Sequence, residues 1–160
     1  MENPPDDWEA FARKHMEGAG TLNLEEKDID DEGIKNLFQL DLIAGITRLE
    51  LGNNKITDEG VKVICSSPNL NQLRTLNLKA NDITEAGAQT LASCKSFEKL
   101  DQLILKFNRV GEEGAKALAQ SEYLGQLSTL DLFRNRIGDE GARAIKTSKN
   151  FSRLNRLRLD

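Results

Sequence analysis

Histidine and cysteine are nearly missing from this chain of 160 residues, which has one histidine, His15, and two cysteines, Cys65 and Cys94. A single histidine excludes most histidine-based catalytic pairs, and no CxxC, HExxH or EF-hand pattern predicts a bound metal. Two cysteines are too few for a disulfide framework. We therefore predict no enzymatic centre, no metal and no cofactor, and we expect two reduced, buried thiols.

Long apolar runs are missing as well. No stretch approaches the roughly 20 residues of a membrane span, and the acidic start, MENPPDDWEAF, has no hydrophobic signal core. We therefore expect a cytoplasmic protein that does not insert into a membrane. The formal net charge of -4 disfavours a nucleic acid as the partner.

What the sequence does contain is a repeat. A Leu-x-Leu pair begins at Leu22 and recurs every 27 residues without an insertion, so that full repeats start at 22, 49, 76, 103 and 130 and a partial one at 157. Two leucines separated by one residue predict a short strand with both side chains on one face. Later in each repeat the apolar spacing becomes helical, as in Gly87, Ala88, Leu91 and Ala92.

Other positions recur at fixed distances from the leucines. An asparagine can donate and accept at the turn between repeats, and Lys27 replaces it in the first repeat, which predicts a different loop there. A glycine at each helix start predicts either close packing or a torsion that alanine disfavours. The asparagines are Asn54, Asn81, Asn108 and Asn135, and the glycines are Gly33, Gly60, Gly87, Gly114 and Gly141.

The acidic residues near each helix start precede a basic residue by four positions, which predicts ion pairs along one helix. The predicted pairs are Asp31–Lys35, Asp58–Lys62, Glu112–Lys116 and Asp139–Arg143.

This pattern, LxLxxNxIxxEGAxxLA, resembles the ribonuclease-inhibitor-like class of leucine-rich repeat proteins from Leu22 to Asp160. The resemblance implies an α/β fold, a right-handed solenoid with a curved parallel sheet on its concave face and helices on its convex face. It also implies that the concave face binds proteins.

Residues 1–20 lie outside the repeat, and residues 21–160 form the repeat domain. The stretch PPDDWEAFARKHMEG predicts a capping helix with Asp6 or Asp7 as its N-cap and with Trp8 and Phe11 on the first repeat. An amphipathic helix for a membrane or a partner is the alternative, and the acidic flank disfavours a membrane.

The last stretch, FSRLNRLRLD, ends just after the sixth leucine pair, without a helix. Three hypotheses remain open at this edge of the sheet. The chain is a piece of a longer protein, or a partner or second copy covers the edge, or the arginine-rich strand tolerates exposure.

Residues beside the leucines face the inner surface and vary between repeats, so we predict that they bind the partner. Ile104, Phe107 and Phe133 form an apolar cluster that we expect Lys79, Lys106 and Arg134 to surround, which is the composition of an interface hot spot. In the alternative, Phe107 tucks against a neighbouring loop and Ile104 is merely an exposed strand residue. The predicted partner-binding residues are Arg48, Glu50, Lys79, Ile104, Lys106, Phe107, Asp131, Phe133 and Arg134.

The sequence thus predicts a non-enzymatic module that binds a protein partner through its concave face. One alternative is a GTPase regulator or the recognition fragment of a larger enzyme. The Ran GTPase activators share the repeat class, but their activating residues have no match here. The other alternative is a scaffold that forms homo-oligomers through the carboxyl-terminal edge.

Overall fold

A computed structural model describes residues 5–160 of the chain. Strands and α-helices alternate through these residues, and short 3-10 helices lie at Asp41–Gly45 and Lys95–Phe97. The strands are β1 (Met16–Glu17), β2 (Thr21–Asn23), β3 (Arg48–Glu50), β4 (Thr75–Asn77), β5 (Gln102–Ile104), β6 (Thr129–Asp131) and β7 (Arg156–Arg158). The helices are α1 (Trp8–Lys14), α2 (Asp31–Leu37), α3 (Asp58–Ser66), α4 (Glu85–Ala92), α5 (Gly111–Ala119) and α6 (Gly138–Thr147).

The strands form one sheet in chain order, parallel from β2 to β7. The register repeats the sequence period, because Leu22 pairs with Leu49 and Leu49 pairs with Leu76. Each helix from α2 onward packs against the next. The predicted leucine-rich-repeat solenoid is therefore confirmed.

The core lies between the sheet and the helices. Both leucines of each full repeat are buried, and so are the apolar residues that close the first four repeats, including Phe97 and Leu100, whereas Leu154 at the end of the fifth is partly buried. A fully buried leucine stabilises the fold by about 1.5–3 kcal/mol relative to an exposed one. The repeated residues thus build the frame and leave the inner surface to residues that vary.

The asparagines hold the turns together, as predicted. Asn108 Nδ2 donates to the carbonyl oxygens of Leu78 and Leu105 at 2.9 and 2.8 Å, and its Oδ1 accepts from the N–H of Ile83 at 3.1 Å. In the first repeat the backbone N–H of Lys27 donates to Oδ1 of Asn54 in the next repeat. Equivalent bonds at the other turns are made by Asn54, Asn81 and Asn135.

The repeated glycines lie in the first turn of each helix, where space rather than torsion excludes a side chain. A Cβ at Gly60 would lie 2.5 Å from Asp31 Oδ1 and 2.7 Å from Ile56 Cγ2. Among the described glycines, a positive φ occurs instead at Gly18, Gly111 and Gly138. Close packing is therefore the correct one of the two predictions.

Most of the predicted ion pairs along the helices are wrong. Asp31 accepts hydrogen bonds from Thr57 and from the N–H of Gly60, both in the next repeat, and Lys35 pairs with Glu32 instead. In α2 and α3 the acid at the first helical position, Asp31 or Asp58, bonds to the neighbouring repeat, which leaves the following glutamate for the lysine. The predicted pair Glu112–Lys116 is confirmed on α5, where Lys116 also pairs with Glu113. The pairs observed on α3 and α6 are Lys62–Glu59 and Arg143–Glu140.

The amino-terminal helix packs against the first repeat. Asp7 accepts from the N–H of Ala10 at 2.9 Å, and Trp8 and Phe11 are partly buried against the core. The sequence did not predict β1, which pairs antiparallel with β2 and covers that edge of the sheet. A strand of two residues is too short to produce a periodic pattern.

At the other end, β7 pairs with β6, and its Leu157 is half-buried. The carboxylate of Asp160 accepts from the N–H groups of Asn135 and Ile137 at 3.1 and 3.2 Å, the role that asparagine plays at the earlier turns. Self-association through this edge stays a prediction. No helix within residues 5–160 combines the length and the apolar content that a membrane crossing needs.

Candidate partner-binding surface

The inner surface has two parts that differ in how their charges are satisfied. In the first part, near the amino terminus, Arg48 pairs with Glu50 at 2.8 Å. The other carboxylate oxygen of Glu50 accepts from Asn77 Nδ2 at 2.7 Å. Arg48 and Glu50 are therefore already engaged with their own neighbours, and a partner would meet a preformed polar network there.

Lys79 belongs to this first part as well. Its ammonium group pairs with Glu25, two repeats earlier, and its stem lies over Gly52, where a Cβ would be 2.8 Å from Lys79 Cγ. Glu25 also accepts from Asn53 Nδ2 at 2.9 Å. The prediction that Lys79 surrounds the aromatic residues is wrong, because its long side chain reaches toward the acidic end.

The second part centres on two aromatic rings. Phe107 and Phe133 are edge to face, with ring centroids 5.9 Å apart and planes at 76°. Phe107 is 45% exposed and is the one large hydrophobic side chain with such exposure in the described part of the chain. Ile104 is half-buried in β5. Burial of this exposed ring against a partner would make the free energy of binding more favourable, because apolar surface is removed from water.

Cationic side chains lie over both rings. The guanidinium carbons of Arg134 and Arg158 are 5.5 and 5.4 Å from the centroid of Phe133, and Lys106 Nζ is 5.9 Å from that of Phe107. These distances fit cation–π attraction, worth about 0.5–1 kcal/mol at exposed sites. We call Lys106, Phe107, Phe133, Arg134 and Arg158 the aromatic cluster.

Asp131 contacts two members of the aromatic cluster, Phe133 and Arg158. It is only 6% exposed, and its Oδ1 accepts from the N–H of Phe133 at 3.1 Å. Its Oδ2 lies 3.8 Å from Arg158. Asp131 therefore positions the loop that carries Phe133 and presents little surface of its own to a partner.

The backbone of Phe107 is left-handed, with φ of 60°. The second residue after each repeat's second leucine always has this conformation, which costs a non-glycine residue roughly 1–2 kcal/mol. Bulky residues rarely adopt this left-handed conformation. The residues at this position are Glu26, Asn53, Ala80, Phe107 and Arg134.

The rings form one wall of a groove at the strand exits, with a volume of about 630 Å³. Arg109 and Arg136 are not among the residues predicted from the sequence, because those residues are the ones nearest the strands. A signal for them is present in the sequence at the position four residues after each second leucine. Acidic and basic residues alternate at this position through the first four repeats, and Arg136 then follows a base. We call this the aromatic groove, and it is lined by Phe107, Asn108, Arg109, Phe133, Arg134, Arg136 and Asp160.

Elsewhere, Cys65 and Cys94 are close together but unbridged, with Cys94 Sγ 3.9 Å from the carbonyl oxygen of Cys65. A hydrogen bond with the Cys94 thiol, followed by burial, raises the pKa of Cys65, which disfavours the nucleophilic thiolate. Within residues 5–160, no three histidine, cysteine, aspartate or glutamate side chains are arranged to hold a metal ion.

Comparison with known proteins identifies one family. A family model described as "Leucine Rich repeat" matches residues 46–65, 69–92, 98–119 and 127–146, together more than half of the chain. No curated protein matches significantly. Among solved structures, an internalin (inlF) from Listeria monocytogenes matches with 22% identity and a TM-score of 0.42, over 86% of this chain and 47% of that one. The chain thus spans about half the length of that internalin chain.

Proposed function

Because the chain belongs to the leucine-rich repeat family, whose domains generally mediate protein–protein interaction, we propose that it is a non-enzymatic module that binds a protein partner. The partner contacts the concave face and is anchored at the aromatic cluster.

The observation that carries the proposal is the placement of Phe107. A large ring stands 45% exposed on a left-handed residue, where asparagine or glycine would fit with less strain. Because the strained backbone belongs to an exposed aromatic residue, it suggests that Phe107 serves binding more than stability. Aromatic and arginine side chains are also enriched among the residues that dominate interface energies.

The first part of the inner surface fits the periphery of such an interface. Arg48, Glu50 and Lys79 are held by ion pairs within the chain. Prearranged charges at a rim steer a partner and set its orientation more than they add affinity. We therefore assign these residues to specificity and the aromatic cluster to affinity.

We also propose a cytoplasmic setting. Cys65 and Cys94 are unbridged neighbours, and a reducing compartment keeps such thiols free. A cell-fractionation experiment with the full chain tests this setting independently of the binding proposal.

Quantitative capture of partners tests the binding proposal. The wild-type chain and the variants Phe107→Asn and Phe133→Ala are immobilised at equal density and exposed to the same cell extract. Tyr123→Asn, a half-buried aromatic between α5 and β6, is the matched control. We expect both cluster variants to capture at least about tenfold less of the main partner, while the control captures as the wild type does. Equal capture by all four proteins contradicts the proposal.

A further inference from the structure

Within the described residues, two guanidinium groups in the aromatic groove form no ion pair with a carboxylate. Four residues after each second leucine, acid and base alternate, so that Asp28 pairs with Lys55 at 2.7 Å and Asp82 with Arg109 at 3.0 Å. The next residue in this series is Arg136. Among residues 5–160, neither Arg136 nor the nearby Arg134 forms an ion pair.

The carboxylates nearest to the groove are occupied by other groups. Asp160 lines the groove, but both its oxygens accept backbone N–H groups, those of Asn135 and Ile137. Asp131 is buried and faces Arg158. The groove therefore presents two arginine side chains beside an exposed aromatic ring, and within residues 5–160 neither arginine pairs with a carboxylate.

We propose that the aromatic groove binds an extended protein segment that carries carboxylates next to an apolar side chain. This inference rests on the proposed function and names the chemistry of the partner. The apolar side chain packs on the exposed ring of Phe107, while aspartate or glutamate accepts hydrogen bonds from Arg134 and Arg136. Arginine donates two parallel bonds to a carboxylate, which gives both orientation and strength.

The size of the groove fits such a segment. A volume of about 630 Å³ lies within the usual range of ligand sites and accommodates a few residues of an extended chain. Charge is complementary as well, since the basic groups of the first part of the inner surface, Arg48 and Lys79, are already paired with Glu50 and Glu25. Attraction at the groove would therefore fix where the segment binds.

Single-stranded nucleic acid is the competing occupant, because arginine and aromatic rings also bind phosphates and bases. The structure favours the peptide. Binding to nucleic acid depends on a row of cations along the backbone, whereas the groove has two unpaired guanidinium groups in a chain of net charge -4.

Selection from a displayed library of random peptides tests the inference. The whole chain is the bait, and the double variant Arg134→Gln/Arg136→Gln is the counter-bait. Arg143→Gln on α6, whose side chain is 71% exposed, is the control. We expect enrichment of peptides with aspartate or glutamate close to an aromatic or aliphatic residue. A synthetic peptide of the enriched sequence should bind the double variant about tenfold more weakly than the wild type, and the Arg143 variant equally well.

Other outcomes overturn the inference in distinguishable ways. Enriched peptides without acidic residues, or equal binding to the double variant, would exclude the proposed chemistry. Tighter binding of an oligothymidine than of the selected peptide would replace it with nucleic acid. If partner capture still depends on Phe107 in these cases, the proposed function stands and only the inference about acidic segments fails.

Discussion

The carboxylate of Asp31 accepts hydrogen bonds from the hydroxyl and the backbone N–H of Thr57, one repeat further along, at 2.6 and 2.9 Å. Asp58 binds Thr84 in the same way, at 2.6 and 2.8 Å. Both threonines are N-caps, of α3 and α4. The start of one helix therefore fixes the start of the next, and the repeats are joined outside the sheet as well as within it.

A double-mutant cycle tests this junction. The cycle consists of Asp31→Ala, Thr57→Val and the double variant, measured by denaturant unfolding. We expect a coupling free energy of about 1–2 kcal/mol between the two side chains, because each single change leaves polar groups without partners. The matched cycle of Asp31→Ala with Lys35→Ala should show coupling near zero. Coupling of the same size in both cycles would support the Asp31–Lys35 ion pair that the sequence predicted.

Glycine substitution tests the close packing at the helix starts. Gly60→Ala should lower the free energy of unfolding by about 1–3 kcal/mol, because the new Cβ displaces the Asp31 carboxylate from its hydrogen bonds. Gly45→Ala is the control, since a Cβ there has no heavy atom within 4 Å. Equal effects at the two sites would mean that backbone entropy, not packing, explains the glycines.

Loss of one ladder asparagine should be costly. Asn108→Ala leaves the Ile83 N–H and two carbonyl oxygens without the partners that Asn108 provides. We expect a loss of roughly 2–4 kcal/mol in urea unfolding, given about 1–3 kcal/mol for each unsatisfied buried group. The exposed Asn53→Ala variant should change stability much less. A loss at Asn108 no larger than that at Asn53 would refute the ladder's role.

Phe107 should contribute little to stability. Phe107→Asn loses an aromatic pair worth about 0.5–1.5 kcal/mol but relieves a left-handed strain of about 1–2 kcal/mol. The two effects nearly cancel, so the unfolding midpoint should stay close to that of the wild type. Phe107→Ala loses the pair without the same relief and should be less stable than the asparagine variant. The reverse order would show that backbone strain at this residue is negligible.

The raised pKa of Cys65 predicts a pH dependence. Above the ordinary thiol pKa of about 8.5, the unfolded chain releases a proton that folded Cys65 retains. The stabilisation is complete below about pH 8.5 and declines above it, by at most about 1.4 kcal/mol per pH unit. Urea unfolding between about pH 7 and pH 10 should show a steeper decline for the wild type than for Cys65→Ala. An equal decline of the unfolding free energy with pH in both proteins would contradict the predicted contribution of Cys65.

Much of the frame could be predicted from the sequence, because every repeat places equivalent residues in equivalent surroundings. Leu49 and Asn81 each have counterparts one period away, so periodicity predicts their roles, whereas for Gly60 it left close packing and torsion as alternatives. The partner of Asp31 could not be predicted, since spacing along one helix does not include the neighbouring repeat. Lys79 was misplaced for a similar reason, because its flexible side chain reaches two strands away to Glu25.

The candidate site was predictable in part. Phe107 and Phe133 stood out as large apolar residues among polar ones, and the structure places their rings together. The groove itself depends on loop geometry, which brings Arg136 and Asp160 to the same strand exits. The leucine pattern does not encode that proximity, because both residues lie outside the positions that alternate along a strand.

Amide hydrogen exchange of the chain with and without its captured partner tests whether a protein partner binds at the aromatic cluster. We expect slower exchange at residues 104–109 and 131–136 in the complex, with little change in α3 and α4 on the convex face. Protection confined to the convex helices, with exchange around Phe107 and Phe133 unchanged, would contradict it.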